Sequence, residues 1–329
     1  PPPGGVGAAS APSRTLRAPL HLIQEKQNDR KTRYERGNEA QNDVAFMQQR
    51  RFKRQKFVLQ RRLVSLLLAK GGKWRKVADK MLQCGRKVRI KSCRDCRSIS
   101  EIPELQCRSR LCALCLSVAR KKFRTKATHL FRVLRARRER PRMLILTQDH
   151  RVGEPLAANM TRIFSSFSKL KRGKFWKNSQ RGSLHAAEVT WGKDGAWHSH
   201  MNILITGDYR TQDAWSKEWK RVTGDSKIVY ISEAFNVEEL VKYITKIYTI
   251  PNDKLFDYAD GIRGRRMVGA TGTFKKLLKE IDKEYAQNKI DILDVCYNCG
   301  GHMEDDGVWG IDPLTGDLFS YAAARASPQ

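Results

Sequence analysis

Trp197-His198-Ser199-His200-Met201-Asn202-Ile203-Leu204-Ile205 is the stretch on which the fold turns. Met201, Ile203 and Ile205 alternate with His198, His200 and Asn202, the period of a half-buried strand with one apolar and one polar face. Histidines at i and i+2 on a strand project side by side, close enough to hold one metal ion. A polar strand face carrying two solvated imidazoles has the same pattern. The chain holds only seven histidines in 329 residues, so a pair on one strand is a marked concentration.

Leu184 to Trp191 reads as the partner strand, joined through Gly192-Lys193-Asp194-Gly195-Ala196. The register decides the place of Glu188. A two-residue Asp194-Gly195 turn puts it on the face opposite the histidines. A three-residue loop, Lys193 to Gly195 with Gly195 left-handed, pairs it with His200 on the same face. His185 and Asp149-His150 are the alternatives to Glu188 beside the histidines, and read rather as surface residues.

Downstream, Val237 to Tyr248 reads as a helix. At about 100° per residue, Val237, Leu240, Val241, Ile244 and Tyr248 gather on a core face. Glu239, Tyr243 and Lys246 cluster on the other within about 60° of one another. Three reactive groups on one face can converge on a single phosphate. Tyr248 goes with the core, which leaves Tyr243 as the one candidate nucleophile. Glu239 equally suits an exposed ion pair with Lys242 or Lys246.

A histidine pair on a strand followed by a helix bearing tyrosine and lysine resembles the HUH endonuclease superfamily. Within it, the chain is similar to the replication initiators (Rep) of rolling-circle plasmids, in the branch with a Glu-x-x-x-Tyr motif. The resemblance runs from about Cys107 to Lys276, and Met143-Leu144-Ile145-Leu146-Thr147 stands where the family has its first motif. It implies an α+β fold, a central antiparallel sheet flanked by helices, with a Cys-rich zinc module ahead of it. It favours the register that makes Glu188 the third ligand, with His198 and His200, of Mg²⁺ or Mn²⁺. Tyr243 then attacks a phosphodiester, giving a 5′-phosphotyrosine and a 3′-hydroxyl that primes synthesis, and the ends are later rejoined. Lys246 stabilises the transition-state charge, and Glu239 activates water or a second strand at termination. The implied partners are single-stranded or cruciform origin DNA and a host or plasmid helicase. Ser199 replaces the usual hydrophobe between the histidines, and Asn202 stands where many relatives carry a further histidine. A transposase or relaxase of the same superfamily is the alternative. From another class, so is a non-catalytic zinc-ribbon protein that only binds nucleic acid.

The charge agrees with both classes. Lys and Arg number 64 against 34 acidic residues, a net +30 with a pI near 10.1. Small-metabolite enzymes have no need of that excess, whereas a polyanion releases counterions when its phosphates are neutralised. No amphipathic anchor points to a membrane surface, no signal peptide opens the chain, and the most apolar run, Leu63 to Ala69, is far too short to span. The expected location is the cytoplasm, without membrane partners.

Eight cysteines in close-spaced clusters suit thiolate zinc in a reducing compartment better than disulfides. Cys93-x-x-Cys96 and Cys112-x-x-Cys115 read as the paired knuckles of one structural zinc site. The resemblance brings Cys107 into a site, and Arg108, Arg110 and Lys242 are the expected DNA contacts. Cys84, Cys107, Cys296 and Cys299 leave a second grouping open. Cys296-x-x-Cys299 with His302 is a half-site, either part of a distal zinc or simply reduced thiols.

The expected division is a disordered tail over 1–30, a basic helical segment over 31–83, a zinc-binding module over 84–136, the nuclease core over 137–252 and a C-terminal helical, Cys-containing extension over 253–329. The basic segment mixes cations with aromatics and reads as an accessory DNA-binding helix pair. Leu156 to Leu170 is an amphipathic helix against the sheet. Phe175 and Trp176 read as a loop able to stack on a base. Trp215 and Trp219 pack one turn apart. Gly269 to Thr273 precedes a helix but lacks a P-loop lysine, so no ATPase is expected.

Overall fold

The computed structural model describes residues 58–241, 247, 249–311 and 318–320. The tail expected over 1–30 and the first part of the basic segment lie outside these. Helical residues 58–70 (α1) lead into α2 (Lys73–Gln83), β1 (Lys87–Cys93), β2 (Ile99–Pro103), α3 (Ala113–Ala136), β3 (Arg142–Thr147), α4 (Leu156–Arg172) and α5 (Lys174–Ser179). There follow β4 (Gln180–Trp191), β5 (Trp197–Gly207), α6 (Gln212–Thr223), β6 (Val229–Glu233), α7 (Glu238–Val241) and α8 (Leu255–Ile262). The last elements are β7 (Val268–Thr271), α9 (Gly272–Gln287), β8 (Met303–Ile311) and β9 (Leu318–Ser320).

Alternation along β5 builds the centre. β5 lies in the middle of an antiparallel five-stranded sheet in the order β6-β3-β5-β4-β7. Its odd-numbered Met201, Ile203 and Ile205 bury against α4, through Leu156, Met160, Ile163, Phe167 and Leu170, and against Trp215 and Trp219 of α6. Its even-numbered Leu204 joins Leu184 and Ala186 of β4 and Met143 of β3 in a second core. That core is closed by Leu130 and Leu134 of α3, Val237, Leu240 and Val241 at α7, and Phe274 and Leu277 of α9. Each fully buried Leu or Phe contributes about 1.5–3 kcal/mol. Two apolar faces on one sheet make a helix–sheet–helix sandwich, the α+β arrangement the sequence implies.

The smaller, four-stranded sheet runs β2-β1-β8-β9. Residues 253–329, expected as one extension, are therefore divided. β7 and α9 complete the central sheet and its second core, whereas β8 pairs with β1 of the cysteine module.

Two local readings change. Phe175 and Trp176 lie in the short helix α5, and Trp176 is only 6% exposed, packed edge-on to Phe167 and Trp215. A ring so placed has no face left for a base. His185 is not a surface residue: its odd number puts it on the α4 side of β4, 7% exposed and edge-on to Phe167. α6 keeps its expected form, capped by Thr211, whose hydroxyl accepts from Ala214 N at 3.3 Å, and ended by Gly224 with φ 87°.

Burial, then the positive charges of Lys171 and Arg266, push the His185 imidazole down to about 3. The unfolded imidazole takes its proton near 6.5. Between these values the unfolded state binds the extra proton, so stability falls as pH falls. Urea unfolding of His185→Gln and wild type should show it: between about pH 6.5 and about pH 4 the wild type loses about 3 kcal/mol more than the variant.

Candidate active site

The β4–β5 hairpin takes the three-residue loop. Gly195 is left-handed at φ 74°. Its N–H donates to Gly192 O at 3.2 Å, and Gly192 N–H donates to Ala196 O at 2.9 Å. Trp191 therefore faces Trp197, Thr190 faces His198, and Glu188 faces His200. Directly opposed residues share a face, so Glu188, His198, His200 and Asn202 all lie on the α3/α7/α9 side of the sheet.

Glu188 is 4% exposed, a depth at which a carboxylate calls for a hydrogen-bonded or cationic partner. It accepts a hydrogen bond from Asn202 Nδ2 at 3.4 Å. Asn202 is fully buried, and its Oδ1 has no hydrogen-bond partner. His200 Nδ1 lies 3.0 Å from Thr147 Oγ1, the residue opposite it on β3. His198 Nε2 donates to both carboxylate oxygens of Asp194 at 2.9 Å.

The sequence reading set His150 aside as a surface residue and took Asp194 only as part of the turn. His150 is half-buried rather than on the surface, stacked on His198 with ring centroids 3.5 Å apart and 16° between planes. It also meets His200 edge-on at 6.4 Å. Burial and then the neighbouring His198 hold its imidazole below the usual histidine range, and its Nδ1 is buried without a hydrogen-bond partner. Asp194, read only as a turn residue, is kept below the ordinary carboxylate range chiefly by the bond from His198. The signal for His150 was its place three residues past Thr147, at the mouth of the strand beside His200.

The donor set thus comprises imidazole nitrogens, a buried carboxylate and an orphaned amide oxygen, ligands that fit a divalent cation such as Mn²⁺ or Mg²⁺. His198, His200 and Glu188 are not drawn into one shell. Among the described residues, only two cysteine sets bring three or more ligand atoms within 4.8 Å of one another.

Those sets could hold a metal ion such as zinc, and they pair differently from the sequence expectation. Cys93 and Cys96 meet Cys296 and Cys299, not Cys112 and Cys115. Cys112 and Cys115 meet Cys84 and Cys107. The reason is topological: antiparallel pairing of β1 with β8 sets Cys93 opposite Met303, beside the later pair. Cys107 and Cys84 are instead gathered at the start of α3, in a core with Leu63 and Leu67 of α1 and Met81 of α2.

Tyr243, Lys246, Lys242 and Tyr248 lie outside the described residues, as does the side chain of Glu239. The chain on either side is anchored. Val241 is fully buried in the core beneath the histidine face, and Glu238 pairs with Arg124 of α3. Ile247, 2% exposed, packs in the core of Cys84, Cys112 and Cys115. Arg108 is exposed, with φ 54° directly after Cys107. Arg110 donates to Ile262 O at 3.0 Å and Arg265 O at 2.5 Å, which ties the cysteine module to the end of α8.

Residues 103–309 match a family described as Replication protein. A "Protein rep" of Lentilactobacillus hilgardii is 27% identical over 213 residues, 54% of this chain and 67% of that protein. A "Protein rep" of Streptococcus pneumoniae is 25% identical over 213 residues, 55% of this chain and 65% of that protein. The chain spans about two thirds of the length of these curated relatives. No solved structure matches it.

Gly192 offers a probe of the hairpin. A Cβ built there collides with both Asp194 Oδ1 and His198 Nε2. Gly192→Ala should separate that pair, because two flexible side chains yield more readily than backbone. Long-range ¹H–¹⁵N spectra of the imidazole should show the His198 Nε2 bond to the carboxylate lost. The midpoint of thermal unfolding should be little changed, since the Asp194 side of the pair is exposed.

Proposed function

The chain belongs to the Replication protein family, and from that premise we propose that it starts rolling-circle plasmid replication by nicking one strand of origin DNA. One observation carries the reading: the sheet face that presents His198, His200 and Glu188 is the face on which α7 packs, and Val241 sits two residues before Tyr243. A nucleophile entering from that helix starts from the histidine side of the sheet.

In this reading the hydroxyl of Tyr243 attacks the scissile phosphorus. The P–O3′ bond breaks, the 5′-phosphate stays on the tyrosine, and the leaving 3′-oxygen takes up a proton. A divalent ion such as Mg²⁺ or Mn²⁺, held by His198, His200 and Glu188, would supply Lewis-acid polarisation of that phosphate. Thr147 and Asp194 hold the two imidazoles by their ring nitrogens, the kind of outer contact that orients ligands. Lys246 offsets charge on the phosphoryl oxygens. Glu239 takes a proton from water or from the 3′-hydroxyl that closes the reaction.

The net charge of +30 serves the DNA, with Arg108 and Lys242 among the phosphate contacts. Zinc in the cysteine module is structural, since four thiolates leave no open position. The freed 3′-hydroxyl primes synthesis, and a helicase opens the duplex ahead of it. No helix among the described residues is long and apolar enough to cross a membrane.

Single-stranded DNA drawn from an origin-like pool, incubated with Mn²⁺ and run on a denaturing gel, tests the reaction. Wild type should form a covalent protein–DNA adduct. Tyr243→Phe should lower its rate by roughly 10⁴-fold or more. His200→Ala should lower it by about 10²–10³-fold while DNA binding persists. An adduct undiminished in Tyr243→Phe contradicts the assignment of the nucleophile. Tight, salt-sensitive binding with no adduct on any DNA would favour the binding-only alternative.

A further inference from the structure

The cysteine pairs that meet from opposite ends of the described chain repeat one another bond for bond. Cys93 N donates to Ser98 O at 2.9 Å, and Arg97 N to Cys93 O at 2.8 Å. Likewise Cys296 N donates to Gly301 O at 2.8 Å, and Gly300 N to Cys296 O at 2.9 Å. In each turn the residue after the second cysteine is left-handed, Arg97 at φ 56° and Gly300 at φ 85°. Arginine, unlike glycine, takes that conformation only at an energetic cost. The turn is therefore not set by the preference of the residue that follows the second cysteine. Asn298 and Gly301 donate backbone N–H groups to the sulfurs of Cys296 and Cys299, both at 3.4 Å.

The sulfur spacing fits a metal. Cys93 and Cys299 Sγ lie 3.4 Å apart, and Cys96 and Cys296 Sγ 3.5 Å apart. Zinc with four thiolates at about 2.3 Å sets its sulfurs about 3.8 Å from one another. A disulfide would close them to about 2.05 Å. All eight cysteines are unbridged.

We propose that these two knuckles are the halves of one zinc ribbon, split by the nuclease core, and that a structural zinc on Cys93, Cys96, Cys296 and Cys299 clasps the halves together. Cys93 and Cys299 are 206 residues apart in sequence. Between them runs the whole five-stranded sheet with its helices. The ribbon's own sheet is β2-β1-β8-β9, and its halves meet where β1 pairs with β8. It is seated on α3. Arg132 donates to Cys299 O at 3.3 Å, Arg124 lies 4.9 Å over the Tyr297 ring, and Val118 packs with Ile102 and Leu293. A clip that closes so long a loop removes much freedom from the unfolded chain. The second ion sits on Cys84, Cys107, Cys112 and Cys115, at the N-terminal end of the same helix. The clasp does not depend on the nicking chemistry.

Metal analysis by mass spectrometry and zinc-edge X-ray absorption on the full chain tests this. The wild type should carry two zinc ions, each with four sulfurs at about 2.3 Å. Cys296→Ser/Cys299→Ser should carry one. Retention of two ions in that variant overturns the clasp, because it means Cys93 and Cys96 have other partners. A wild-type shell with fewer than four sulfurs per zinc also overturns it, since two such sites use every one of the eight cysteines. Where the double variant does not fold, Cys299→His, which keeps a ligand, replaces it. One sulfur in eight exchanged for nitrogen supports the assignment, and an unchanged all-sulfur shell contradicts it.

Discussion

Pairing of β4 with β5 in one particular register is the constraint on which the site depends. Strand side chains repeat with period two, so a slip of one residue would carry Glu188 to the α4 face while His198 and His200 stayed behind. The loop prevents that slip. Gly195 supplies a left-handed residue with open space around it, and the Gly192–Ala196 bond closes the three-residue connection above the Trp191–Trp197 pair. The Trp rings meet at 4.9 Å and lock the end of the ladder by burial. Below this lock, Glu188, His200 and Thr147 fall into one row across three strands.

α3 is the element through which the rest of the chain reaches that row. Its N-terminal end carries Cys112 and Cys115, its exposed flank receives the ribbon, and its Leu130 and Leu134 fill the core under Leu204. The two cysteine groups and the histidine face thus share one helix. The stretch that follows α7 is held at both ends by these same bodies, at Val241 by the sheet core and at Ile247 by the Cys84 group. The cysteine groups and the histidine face are joined through packing on α3.

Much of this was legible in the sequence because it is periodic. β3, β5, α4 and α6 follow from alternation or helical spacing, and their faces come out as the apolar residues dictate. Glu188 was legible only as a choice, since Gly192 to Ala196 suits either of two loops and nothing local decides between them. Parity in the observed register then explains why His185, three residues away, is buried against Phe167 instead. The cysteines misled for a different reason. Nearest pairs in sequence look like partners, but partners are chosen by strand pairing, and β1 pairs with a strand from the far end of the described chain. His150 was hidden because a stacked ring across a strand end leaves no periodic trace, and Trp176 because six residues are too few to show helical spacing.

Diffraction from crystals soaked in Mn²⁺, with data collected at a wavelength where manganese scatters anomalously, tests the central claim most directly. The account predicts one anomalous peak on the α3/α7/α9 side of the sheet, within bonding distance of His198, His200 and Glu188. A peak held by Asp194 and His150 without Glu188, or no peak on that face under Mn²⁺ that supports DNA nicking, would contradict it.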